Sequence, residues 1–157
     1  DSNVRYDLPT DEDRELIKLA CELGVDMLGI SFVGNASELE EIRGLAPGIQ
    51  LVSKIERKAA LKNLDSILEA TDGLMVARGD LGVELDLEQL PLVQKEILRR
   101  ADAAGVPHYP DPELAPLLAL VPPSHEVPPA LFRAVAEVLA FTSIAIKSTE
   151  GLSRKLF

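Results

Sequence analysis

Apolar and polar positions follow two alternating spacings along most of the chain. Several short runs are almost wholly apolar, as is typical of strands covered on both faces in a parallel sheet. The predicted strands span residues 25–32, 49–55 and 74–77. Around them, apolar residues recur every three or four positions, which indicates amphipathic helices. The predicted helices span residues 10–24, 37–44, 58–70 and 86–105.

Polar and glycine residues at the element ends support these boundaries. Thr10 and Asp13 form a capping-box pattern, and Gly24 supplies a stop for the first helix. The glycine-containing sequence RGDLG at residues 78–82 is interpreted as a turn, after which Asp86 starts the long helix.

Regular alternation of strand and helix predicts an α/β fold with right-handed crossovers and a parallel sheet. The spacing is compatible with a (β/α) barrel and with an open doubly wound sheet. Because a closed eight-stranded barrel takes about 250 residues, a chain of 157 residues holds part of one or closes differently.

The chain divides into three predicted segments. Residues 1–107 form the βα units of a partial barrel domain, and residues 108–129 are dense in proline and form a linker or cap. Residues 130–157 form a helix-strand-helix tail, with the strand at 143–146. The chain starts at Asp1 rather than Met and ends directly after a helical pattern, so we expect it to be a fragment.

Charge narrows the classes of partner. With 26 acidic and 16 basic residues the formal net charge is −10, which argues against nucleic acid and against an anionic membrane surface. No apolar stretch reaches the roughly 20 residues of a bilayer span, and a cytoplasmic setting is expected. The single cysteine, Cys21, lies on the apolar face of the first predicted helix, where a core role is expected.

Candidate chemistry lies at the carboxyl ends of the strands, where α/β proteins place reactive groups. Ser31 and Phe32 end the first predicted strand, Lys54 and Glu56 lie at the end of the second, and Asp80 follows the third. Because neighbouring strands are about 4.8 Å apart, Lys54, Glu56 and Asp80 are expected to converge. Two carboxylates with few other ligands suit Mg²⁺, although a lysine and two acidic residues at strand ends often form an ordinary ion-pair network instead.

Two segments carry a family resemblance. VSKIE at residues 52–56 and MVARGDLG at residues 75–82 resemble the two strand-end signatures of pyruvate kinase, and the spacing between them matches. The resemblance implies a pyruvate-kinase-like TIM barrel and Mg²⁺-dependent phosphoryl transfer between phosphoenolpyruvate and ADP, giving pyruvate and ATP in glycolysis. The open edges of the predicted sheet favour association, and a homo-oligomer is expected.

The same resemblance implies roles for individual residues. Glu56 and Asp80 match the magnesium ligands, and Lys54 matches the lysine that stabilises the transition state. The segment that lies against the substrate carboxylate corresponds to Ala77, Arg78 and Gly79.

The resemblance nearly vanishes beyond Pro107. The family continues there into a strand that bears a threonine for proton transfer, whereas this chain has the sequence HYPD at residues 108–111. The residues of the family's potassium site and its nucleotide-covering lid are absent. We therefore expect the isolated chain to be inactive, and a non-catalytic module that binds a metabolite or mediates oligomerisation remains the alternative.

Overall fold

Three parallel strands form a sheet in the order β1-β2-β3. The computed structural model describes residues 8–106, 114–122 and 125–141. In order along the chain, the first unit contains α1 (Asp11–Leu23), β1 (Met27–Ile30), α2 (Ala36–Leu45), β2 (Gln50–Ile55), α3 (Lys58–Lys62), α4 (Leu64–Ala70), β3 (Gly73–Val76), α5 (Arg78–Glu84) and α6 (Leu90–Ala103). The predicted α/β class with parallel strands is confirmed.

The register places the carboxyl ends of the strands at one edge of the sheet. Ile30 lies opposite Ser53, and Ile55 lies opposite Val76. Residues that immediately follow each strand are therefore neighbours in space, although they are separated by roughly two dozen positions in sequence. This arrangement is what brings the candidate residues of different strands together.

One face of the sheet packs against helices and forms the core. Leu51 and Ile55 of β2 are fully buried there, together with residues of the neighbouring helices. The helical partners in this cluster include Leu39, Ile42, Leu64, Ile67 and Ile97. Each such aliphatic side chain stabilises the fold by about 1.5–3 kcal/mol when it is removed from water. The opposite face carries Lys54 and the half-exposed Met75.

Helix α1 has the ends that its sequence predicts. Thr10 and Asp13 form a capping box, and Gly24 ends the helix in a left-handed conformation with φ of 67°. The expectation that Cys21 lies in the core is wrong, because its side chain is exposed. Only Ile17 of this helix is buried. The apolar face predicted from the sequence is therefore wider than the part of the helix that packs against the core.

Helix α2 begins slightly earlier than predicted. Asn35, rather than Ser37, is its N-cap, and Asn35 and Glu38 form a reciprocal capping box. The Glu38 carboxylate also accepts a hydrogen bond from the backbone N–H of Gly34 at 2.7 Å. The capping box therefore orders the loop between β1 and α2.

The single helix predicted for residues 58–70 is two helices, α3 and α4. The break lies at Asn63, whose side chain donates a hydrogen bond to the carbonyl oxygen of Gly34 at 2.7 Å. This contact spans 29 positions, and no local pattern reports it. The break ties the helical segment to the loop that follows β1.

The prediction of a turn at residues 78–82 is wrong, because these residues form the first part of α5. Leu81 is fully buried and supplies the packing that the two glycines do not. The next helix then begins at Leu90 rather than Asp86, and Gln89 instead donates to the Asp86 carboxylate at 3.2 Å.

The chain divides into two compact units, Asp1–Val106 and Pro107–Phe157. In the second unit, helix α7 (Leu114–Ala119) lies within the proline-rich segment, and a 3₁₀ turn (Pro129–Leu131) leads into helix α8 at residues 132–141. The predicted strand at 143–146 and the final helix lie outside the described residues. None of the helices in the described ranges has the length and apolar character needed to span a bilayer.

Thr71 joins β2 to β3 through a buried hydrogen-bond network. Its hydroxyl accepts from the Ser53 backbone N–H at 3.2 Å and from the Ser53 hydroxyl at 2.8 Å, and it lies 2.7 Å from the carbonyl oxygen of Gly73. Nearby, Asp72 accepts from the Leu51 N–H and from the Arg43 guanidinium. These contacts fix the part of β2 that directly precedes Lys54.

Replacement of Thr71 by valine keeps the volume of the side chain but leaves two buried Ser53 donors without their acceptor. We expect a loss of about 1–3 kcal/mol in the free energy of unfolding, measured by urea denaturation. Ser66→Ala removes an exposed hydroxyl and should cost less than about 0.5 kcal/mol. Equal stability of Thr71→Val and Ser66→Ala would contradict the role of this network.

Candidate functional site

A buried ion pair lies at the carboxyl end of β2. Lys54 Nζ is 2.5 Å from Glu56 Oε1, and the two side chains are 28% and 2% exposed, respectively. Because the residues are two positions apart in extended backbone, both side chains project from the face of the sheet opposite Leu51 and Ile55. A charge that is buried to this extent needs close partners, because removal from water disfavours it.

The corner that follows β1 contacts both members of the pair. Lys54 Nζ donates to Ser31 Oγ at 2.9 Å, and the Phe32 backbone N–H donates to Glu56 Oε2 at 2.6 Å. Phe32 has a positive φ of 57°, a conformation that side chains larger than glycine rarely adopt. Both oxygens of the Glu56 carboxylate are thus hydrogen-bonded or ion-paired.

Asp80 does not join this pair. It is exposed in the first turn of α5, and its carboxylate makes no hydrogen bond or ion pair to any residue that the structure describes. The start of α5 is adjacent to β2, because the Ala77 N–H donates to the Ile55 carbonyl oxygen at 3.2 Å. The structure therefore brings Lys54 and Glu56 into contact, whereas Asp80 is exposed on the adjacent helix α5 and does not contact them.

The residues Ala77, Arg78 and Gly79 form the entry to α5. The first helical hydrogen bond runs from the Leu81 N–H to the Ala77 carbonyl oxygen at 3.0 Å, so the N–H groups that precede it have no acceptor within the helix. At the other end of α5, Glu84 accepts from the Lys58 N–H at 2.7 Å. This contact anchors the short helix to the start of α3.

The sequence predicted no role for two groups that contribute to the site. These are the Ser31 hydroxyl and the Phe32 backbone N–H. The register offers a signal for the first. Ile30 pairs with Ser53, so the next pair along the two strands is Ser31 and Lys54, and a hydroxyl opposite a lysine is a ready partner. No sequence signal points to the second, because the positive φ of an aromatic residue is set by tertiary contacts.

The donor set is compatible with Mg²⁺ in its chemistry. Each Glu56 oxygen has a further lone pair beyond the contact that it already makes, and the Asp80 carboxylate is accessible. No group of three or more histidine, cysteine, aspartate or glutamate ligands occurs among the described residues. A site with one or two carboxylates suits Mg²⁺, which usually keeps waters and substrate oxygens as its remaining ligands.

Comparison with known proteins gives a consistent result over this part of the chain. The family model described as the barrel domain of pyruvate kinase matches residues 1–109. Pyruvate kinase from Bacillus licheniformis is 47% identical over 111 residues, which are 66% of this chain and 19% of that protein. Pyruvate kinase from Thermococcus litoralis is 39% identical over 110 residues, 68% of this chain and 23% of that protein.

The match with pyruvate kinase from Thermotoga maritima has 48% identity over 94 residues, 57% of this chain and 20% of that protein. The chain thus spans about a fifth of the length of these curated relatives. The family model covers more than half of the chain, including the whole of the sheet and the candidate site. The resemblance in the strand-end motifs is therefore confirmed, and the chain belongs to the pyruvate kinase family.

Proposed function

We propose that this chain carries part of the phosphoenolpyruvate and Mg²⁺ site of a pyruvate kinase. The complete protein would transfer phosphate between phosphoenolpyruvate and ADP, giving pyruvate and ATP in cytoplasmic glycolysis. The observation that carries the proposal is the Lys54–Glu56 pair at the end of β2, beside the start of α5. An ammonium and two carboxylates at this edge match the charges that phosphoryl transfer requires.

Each residue has a distinct part in the proposed site. Glu56 and Asp80 hold Mg²⁺, which when bound offsets negative charge on phosphoryl and carboxylate oxygens. Lys54 directs an N–H toward a phosphoryl oxygen and stabilises the charge that develops during transfer. The backbone at Ala77, Arg78 and Gly79 orients the substrate carboxylate.

The proposal also accounts for the partly exposed face of the sheet. Met75 is 49% exposed on the face that carries Lys54. In a closed barrel this face is filled by side chains of the remaining strands, which we propose are supplied outside this chain. The site is then completed by other parts of the protein, including any potassium ligands, and the isolated chain lacks the full set of groups needed for turnover.

A second candidate function is a non-catalytic module that binds a metabolite or associates with another copy. The strand order leaves one edge each of β1 and β3 unpaired among the described residues. Unpaired strand edges favour association, and most soluble oligomers are assembled from identical subunits. This candidate uses the same site for binding, without phosphoryl transfer.

The metal-binding part of the proposal is tested by calorimetric titration of the chain with Mn²⁺ or Mg²⁺, followed by oxalate as a small dianionic probe. Glu56→Gln and Asp80→Asn should each weaken metal binding by at least about tenfold, because each removes an anionic oxygen ligand. Unchanged binding in both variants would contradict the assignment of these ligands.

Glu96→Gln is a matched control for these two variants. Arg99 lowers the pKa of Glu96 through a side-chain hydrogen bond, so this carboxylate is ionised at neutral pH. The substitution removes the same charge from an exposed position on α6. It should leave metal affinity within about twofold of the unsubstituted chain, since distant exposed charges are screened by salt.

Incompleteness of the chain is tested by a coupled assay of pyruvate formation with Mg²⁺, K⁺, ADP and phosphoenolpyruvate. We expect no turnover above background, because the strands that supply the other groups are missing. A rate that Asp80→Ala abolishes would show that the chain is a complete catalyst.

Association is tested by multi-angle light scattering over a range of protein concentrations. The exposed strand edges predict a mass above 17.0 kDa that rises with concentration. A monomer throughout the range would contradict the oligomerisation candidate, whereas the metal-binding proposal would be unaffected.

A further inference from the structure

The corner formed by Ser31 and Phe32 contacts both charges of the Lys54–Glu56 pair. We propose that Ser31 is a positioning residue, which holds the Lys54 ammonium at the angle needed to meet an anionic ligand. The inference rests on the proposed function for the identity of that ligand. The geometry on which it depends is the pair of contacts that Lys54 Nζ makes with Ser31 and Glu56.

The number of N–H donors on the Lys54 ammonium group determines how far its orientation is fixed. A lysine Nζ has three N–H donors, and here one points toward Glu56 Oε1 and one toward Ser31 Oγ. Two fixed partners set the direction of the third N–H, because the three are arranged tetrahedrally. Without the Ser31 acceptor, the ammonium is held by Glu56 alone and rotates about that contact.

The backbone of the corner is strained at Phe32. Phe32 adopts a left-handed conformation although its side chain is 39% exposed, so burial of the ring offsets only part of the backbone strain. Strain of this kind persists where surrounding contacts require it and is concentrated at functional sites. One contact that this backbone conformation permits is the 2.6 Å hydrogen bond from the Phe32 N–H to Glu56 Oε2. The corner is therefore shaped to hold this pair.

Binding of a cation and binding of an anion depend on different groups of this site. A divalent cation contacts the carboxylates, so its affinity depends on Glu56 and Asp80 and little on Ser31. A dianion such as oxalate contacts the cation and the Lys54 ammonium together. Loss of the Ser31 hydroxyl should therefore weaken the anion and spare the cation.

Ser31→Ala and Ser31→Thr test this separation by calorimetry, first with Mn²⁺ alone and then with oxalate at saturating Mn²⁺. We expect Ser31→Ala to keep Mn²⁺ affinity within about twofold and to weaken oxalate about tenfold, as for the loss of one charge-assisted hydrogen bond. Ser31→Thr retains the hydroxyl and should restore most of the oxalate affinity. Equal oxalate affinity in Ser31→Ala and the unsubstituted chain would overturn the inference, as would a proportional loss of both affinities.

A second readout needs no ligand. In ¹⁵N-detected spectra of lysine ammonium groups, Lys54 should give a signal protected from solvent exchange in the unsubstituted chain and in Ser31→Thr. The signal should broaden in Ser31→Ala, and Lys54→Arg identifies it by removing it. A Lys54 signal that is the same in Ser31→Ala and the unsubstituted chain would overturn the inference. If the protected signal is present but neither Mn²⁺ nor oxalate binds, the positioning role stands and the proposed function fails.

Discussion

The ion pair between Lys54 and Glu56 is the interaction on which the rest of the candidate site depends. The Glu56 carboxylate is almost completely buried, and a buried charge is stable only with close partners of opposite charge or with hydrogen-bond donors. Lys54 supplies the charge, and the Phe32 N–H supplies a donor. Loss of one partner from such a pair typically costs about 3–5 kcal/mol, so the end of β2 and the corner after β1 are coupled in energy.

The sheet provides the rigid support for this pair. Parallel register brings the ends of β1, β2 and β3 to one edge, and the helices pack against the other face of the sheet. Hydrogen bonds to the side chains of Thr71 and Asp72 fix β2 near its middle, only a few residues before Lys54. Glu84 anchors the far end of α5 to α3. Each candidate residue thus lies on or beside a strand or helix that core packing or a hydrogen bond fixes in position.

Membership of the pyruvate kinase family gives this arrangement a chemical context. Relatives are several times longer than the chain, and the segment that matches contains one edge of a sheet with an ammonium and two carboxylates. Under the proposed function, this edge supplies charge and metal ligands, and the groups for proton transfer and nucleotide binding come from other parts of such a protein. The two proposed functions therefore make different demands on this chain: binding needs only this edge, and catalysis also needs the further strands of a barrel.

Local sequence determined the alternation of parallel strands with helices, the capping of α1 by Thr10 and Gly24, the period-two placement of Lys54 and Glu56, and the motifs that identify the family. These features depend on neighbours within a few positions, so propensity and spacing are sufficient to find them. Tertiary structure alone decided the break at Asn63, the left-handed backbone of Phe32, the helical form of residues 78–82 and the exposure of Cys21. The first two are tied to contacts 29 and 24 positions away, and the last two depend on which faces other elements cover; such information is absent from any local pattern.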